Sequence, residues 1–160
     1  MREILFRGKR MDNGEWVEAA SILRTVDGAV RELYIAAKAG MDMALDADGN
    51  VHTMTAGPHV LYYRVDPDTV GQFTGLTDKN GKRAFEHDVI KHHFGDEIGV
   101  IRYGEYRNPF GDDSHGGHVG FYVDWVTGEA PGTLRKDLAY WMKIVEVIGS
   151  IHDNPELLNQ

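Results

Sequence analysis

The sequence predicts a mainly β chain of two lobes: a hairpin-rich N-terminal lobe, residues 1–66, and a small β-barrel C-terminal lobe, residues 67–160, with few short helices. Three observations predict it. Short segments rich in Val, Ile, Phe, Tyr and Trp recur between Gly, Asn and Asp turn signals. Amphipathic stretches at helical spacing are scarce. Asp88 to Phe94 and Ile98 to Tyr103 carry apolar residues on both faces, as strands do inside a small barrel or at an interface.

In chain order, Ile4 to Arg7 and Trp16 to Leu23 read as strands joined through Asp12-Asn13-Gly14, whose Asn-Gly pair tolerates the positive φ angles of a tight hairpin. Arg31 to Ala37 is a further strand, and Ala36 to Ala47, rich in alanine and methionine, is compatible with a helical turn. Asp48-Gly49 marks a turn. His59 to Val65 is a strand ended by Asp66-Pro67, where the second lobe begins and with which it is expected to form one compact unit. There the charged stretch Gly75 to Arg83 separates two strand-like segments, and the hairpin from Asp88 to Tyr103 turns at Gly95-Asp96-Glu97. Val119, Phe121, Val123 and Trp125 alternate with His118, Gly120, Tyr122 and Asp124, which commits one face to the core and leaves the other mostly polar. Leu134, Leu138 and Trp141 place a helical turn within Gly132 to Met142. Lys143 to Ile151 is a closing strand, and Asp153-Asn154-Pro155 starts a final helical turn. Trp16, Tyr62, Tyr63, Trp125 and Trp141 are read as core aromatics rather than base-stacking platforms.

Composition narrows the function classes. At 42% hydrophobic and 26% charged residues the chain is ordinary for a soluble domain, and no apolar run approaches the roughly 20 residues that span a bilayer. The apolar run Ile4 to Phe6 is far short of the roughly 7–15 residues of a secretory core, so the expected location is the cytoplasm. No cysteine is present, which removes disulfides, thiolate nucleophiles and cysteine metal ligands together. A formal charge of -8 repels polyanions. Arg2, Arg7, Lys9 and Arg10 are a local exception, read as a charged edge strand. With Lys82 they would serve the alternative of a DNA- or RNA-binding barrel.

Templates for chemistry mostly fail. Gly75, Gly81 and Lys82 imitate a phosphate loop, but five residues separate the glycines and Arg83 stands where Ser or Thr must hold magnesium. The stretch is instead a turn in which Asp78 or Asn80 bonds its own backbone and Gly81 takes a positive φ. Asp46, Asp48 and Asn50 have EF-hand spacing without the glycine and glutamate such a loop needs. Ser21, Ser114 and Ser150 lie in no nucleophile elbow. The loop Gly104 to Gly117 could bring Asp112, Asp113, His115 and His118 to a zinc, manganese or iron ion, joined by at most one of His92 and His93, since neighbours on a strand face opposite ways. Nothing enforces that geometry, so the loop reads first as a solvated one. A metal-dependent or nucleic-acid-processing factor is the alternative it would support.

The segments MREILFRGKR with DNGEWVE, TVGQFTGLTDKNGKRAFEHDVI, and VEVIGSIHDNPELL together resemble the YopX family of small proteins of bacteriophages and prophages. Members often carry Tyr-Glu-Gly-Asp where this chain has Phe85-Glu86-His87-Asp88, so a histidine stands in the glycine position. The resemblance implies a β-rich, phage-derived protein of the host cytoplasm that self-associates, with no activity to carry over. The charged hairpin feeding Asp88 also looks like an SH3-like barrel. The expectation is therefore a homo-oligomeric, non-enzymatic interaction module without cofactor, with Lys79, Lys82 and Arg83 offered to a phage or host protein partner.

Overall fold

The computed structural model describes residues 3–27, 30–38, 51–53, 60–92, 95–109, 117–127 and 131–159. The chain divides into two units, Met1–Gln72 and Phe73–Gln160. The mainly β expectation holds in both.

In the first unit β1 (Phe6–Lys9) and β2 (Trp16–Ala19) form the hairpin expected at Asp12-Asn13-Gly14. Arg10 N–H donates to the Glu15 carbonyl, and the Asn13 side chain accepts from Glu15 N–H at 3.0 Å, so the turn residues satisfy the chain reversal locally. The single strand expected from Trp16 to Leu23 is broken at Ala20: β2 pairs with β1, whereas β3 (Ser21–Asp27) pairs with β4 (Val30–Lys38). One continuous segment thus serves two pairings, with small Ala20 at the change of partner. β5 (Val51–Thr53) and β6 (Val60–Val65) complete the order β3-β4-β6-β5. Ala19 and Val65 are the buried centre, with Val17, Ile22 and Val70 packed around them. The helical turn considered for Ala36 to Ala47 gives way to strand through Lys38, and residues 39–47 lie outside the described residues, as do Asp48-Gly49 and His59.

β7 (Gly71–Thr77) begins in the first unit, where Gly71 and Gln72 pair with Arg7 and Phe6, and continues into the second. There it pairs with β8 (Arg83–Phe85). β9 (Asp88–His92), β10 (Ile98–Tyr106), β11 (His118–Trp125) and β12 (Val145–Ser150) form an antiparallel sheet in the order β11-β10-β9-β12. Ile90, Ile101, Val123, Trp125, Val145 and Val147 of this sheet pack with Leu138, Trp141 and Met142 in one apolar cluster.

None of the sheets closes into a barrel among the described residues, so the SH3-like closure expected of residues 67–160 is not seen. Ile98 through Ile101 are all buried, as the sequence indicates. Their two dry faces have a different cause: β9 and β10 are the central strands of an open sheet, and α1 (Leu138–Trp141) covers one side. This helix is only four residues long. Residues 135–137 run beside β11 instead of coiling. Val123 N–H donates to the Lys136 carbonyl, the Trp125 and Trp141 indoles both donate to the Arg135 carbonyl, and Tyr122 bridges Asp137. Carbonyls used outward in this way delay helical bonding until Leu138.

Alternation in β11 is also only half expressed as burial. Val123 is 0% exposed and Trp125 6%, but Val119 is 73% exposed. The inner half of the strand faces the core and the outer half runs past it. Gly99, opposite Trp125, is required by close approach: a Cβ there would lie 2.4 Å from Val123 Cγ1.

Candidate functional site

The β7–β8 turn carries the cations that the sequence offers to a partner. Asp78, 5% exposed, builds it. Its Oδ1 accepts from Asn80 N–H at 2.8 Å and Lys82 N–H at 2.9 Å, and its Oδ2 accepts from Val147 N–H of β12 at 2.9 Å. Gly81 has φ +82°, which completes the turn chemistry read from the sequence. Burial opposes the charge on Asp78, but three backbone donors and nearby Lys82 outweigh it and hold the carboxyl below its ordinary range. The cations are engaged in the same construction. Lys82 Nζ donates to the Val147 carbonyl at 3.0 Å, Lys79 Nζ lies 3.2 Å from Glu146, and the Arg83 guanidinium stands 6.0 Å from the Phe73 ring centre. These side chains fasten the turn to β12 and to β7.

Beside the turn is a cavity of about 160 Å³ lined by Lys79, Lys91, His92 and Glu146. Lys91 pairs with Asp96 at 3.4 Å, and His92 Nδ1 meets Glu97 at 3.3 Å while its ring edge rests on Trp141. Three carboxylates answer two lysines and one imidazole, so the cavity has no surplus positive charge with which to hold an anion.

Of the candidate metal ligands, Asp112, Asp113 and His115 lie outside the described residues, as does His93. His118 opens β11 and stacks on Tyr106 with ring centres 5.3 Å apart. Among the described residues no group of three or more His, Asp or Glu side chains is placed to hold a metal ion.

A polar hub that the sequence does not announce lies beside the β10–β11 pair. Asp137 accepts from Tyr106 Oη at 2.7 Å, from Asn108 Nδ2 at 2.8 Å and from Arg135 Nε. Burial works against its charge, but these donors hold its carboxyl low. Burial and the same carboxylate push the Tyr106 hydroxyl up to about 12. Tyr106 stacks in turn on Tyr122. Contributions from residues about thirty positions apart leave no local motif, so only the fold brings them together.

On the other face of the pair, Tyr103 lies opposite Phe121 with their rings edge to face at 5.1 Å. Tyr103 is 57% exposed, and the exposed Val119, opposite Glu105, lies diagonally across the pair from it. At the N-terminal basic patch the cations are covered by aromatic rings: Arg7 and Lys9 lie over Trp16 at 4.4 and 5.6 Å, and Arg10 lies over Tyr63 while paired with Asp12. Arg2 lies outside the described residues. Of the aromatics read as core, Trp125 and Trp141 are buried, whereas Trp16, Tyr62 and Tyr63 are half-buried.

A family model described as YopX protein matches residues 5–159. No curated protein matches. Among solved structures, the chain is similar to the crystal structure of protein EF1440 from Enterococcus faecalis, with 19% identity, 97% of each chain covered and a TM-score of 0.44.

Proposed function

The chain belongs to the YopX family, and on that premise we propose that it is a phage-encoded accessory protein without catalytic activity, a protein-interaction module whose first partner is a second copy of itself. The observation that carries this reading is the outer end of the β10–β11 pair. Val119, 73% exposed, and Tyr103, 57% exposed, continue the same face that is fully buried at Ile101 and Val123. Val119 and Tyr103 lie diagonally across the strand pair with the half-buried Phe121 between them, and a contiguous exposed apolar patch of this kind marks a contact surface. Among the described residues β11 is an edge strand, so a second copy could add backbone hydrogen bonds to the apolar contact. Residues 136–137 cover that edge at Val123 and Tyr122, which directs any pairing toward the His118 end.

Nucleic-acid binding is the weaker reading. Its cations at Arg7, Lys9 and Arg10 already lie over aromatic rings, Lys82 is bonded to Val147, and the net charge is -8. Size-exclusion chromatography with light scattering tests self-association. A mass above that of one chain, rising with concentration, supports it, and a single-chain mass at every concentration removes it.

A further inference from the structure

The turn between β8 and β9 and the turn after β12 bring two imidazoles together through a nitrogen of each. His87 Nδ1 and His152 Nε2 are 3.1 Å apart, with ring centres separated by 5.0 Å and planes at 71°. Both residues hang from anchored backbone. His87 N–H donates to the Ile101 carbonyl at 2.8 Å, the His87 carbonyl accepts from Ile151 N–H at 3.0 Å, and His152 N–H donates to the Ser150 hydroxyl at 3.1 Å. On the far side of the His87 ring, Nε2 lies 3.8 Å from Glu86 Oε1.

We propose that His87 Nδ1 and His152 Nε2 form a binding site for a late first-row divalent cation such as Zn²⁺, with water completing its coordination. Two imidazole nitrogens bound to one zinc at about 2.0–2.1 Å across a near-tetrahedral angle stand about 3.3 Å apart. The observed separation therefore admits the cation after a small rotation of the rings. Glu86, 3.8 Å from His87 Nε2, is beyond hydrogen-bond distance but near enough that a rotation of its side chain would let it orient a metal-bound imidazole through that nitrogen. His87 also has φ +72°, a conformation natural to glycine and unfavourable for a residue with a Cβ. An imidazole held at a strained position, aimed at a second imidazole, is the pattern expected where a side chain serves a ligand rather than the fold.

Proton bookkeeping is balanced. In the hydrogen-bonded pair one facing nitrogen carries a proton. When the cation binds, that proton leaves for solvent and the far nitrogen of the same ring takes one up, so both lone pairs face the metal and neutral rings release no net proton. On His87 the far nitrogen is the one beside Glu86. Protonation of either ring at its facing nitrogen competes with the cation, since only the lone pair binds it. Among the described residues no third ligand of the His, Asp or Glu type joins them, which leaves the remaining positions to water.

The full chain is titrated with Zn²⁺ and followed by histidine side-chain NMR and by thermal unfolding. The His87 and His152 signals shift together, saturate at one cation per chain, and Tm rises. His87→Gly is the decisive variant, because it relieves the φ strain and folds at least as well, yet loses the Zn²⁺-dependent rise in Tm. Glu86→Gln weakens binding about tenfold, and His118→Gln leaves it unchanged. Failure of the two signals to move at millimolar Zn²⁺, or survival of the Tm rise in His87→Gly, overturns the proposal and leaves the pair a hydrogen bond alone.

Discussion

Replacing Asp78 with alanine strands the N–H groups of Asn80, Lys82 and Val147 together. Loss of three bonds to a buried carboxylate costs about 3 kcal/mol, measured as a lower midpoint in urea unfolding. Its pH dependence has a definite sign. The folded-state carboxyl is held below its ordinary value of 3.8, so its stabilisation is present above that value and is lost as pH falls through the lowered one. Asp78→Asn is therefore less stable at neutral pH and shows a shallower decline between neutral and strongly acidic solution. At Gly99 the expected failure is steric. An added methyl meets buried Val123 and Trp125, and Gly99→Ala loses about 1–3 kcal/mol without changing the fold. The first effect was partly legible, and the second was not. The Asp-x-Asn-Gly turn announces its own backbone bonding, whereas the third acceptor contact, to Val147, joins residues 69 apart and has no local signature.

Among elements, the β10–β11 pair shows what sequence periodicity can and cannot give. Its eight-residue β11 was legible with its bounds, because strict alternation between polar and apolar residues is a local property. Which part of the apolar face reaches the core was not, since that depends on where α1 and β9 stop. The same limit explains the expected barrel: dry faces on β9 and β10 follow equally from closure and from a central place in an open sheet. The helical turn expected within Gly132 to Met142 is α1, but its start at Leu138 was not legible, because partners of residues 135–137 lie on β11. Asp137 joins this pair to residue 135 and to α1, and its burden appears at high pH. Tyr106 ionises at about 12 instead of 10, so stability is full below the ordinary tyrosine value and falls as pH rises from about 10 toward 12. Tyr106→Phe removes that alkaline loss and slows acid-side decline at Asp137, which ultraviolet titration of the tyrosines and unfolding at pH 11 together resolve.

At the scale of the whole chain, the family was legible from the end-to-end order of three segments, and the match over residues 5–159 establishes it. Partner contacts were harder to place. Lys79 and Lys82 look available in the sequence but fasten their turn to β12, while Val119 looks like core and is exposed. Chain copies each carrying -8 repel one another, so moderate salt should strengthen self-association rather than weaken it. Sedimentation velocity of the wild-type chain beside Val119→Lys tests the proposed self-association most directly. The wild type should show a concentration-dependent dimer, and Val119→Lys should remain a single chain with an unchanged circular dichroism spectrum and Tm. A wild-type chain that sediments as a monomer at all concentrations, or a Val119→Lys variant that associates as the wild type does, would contradict it.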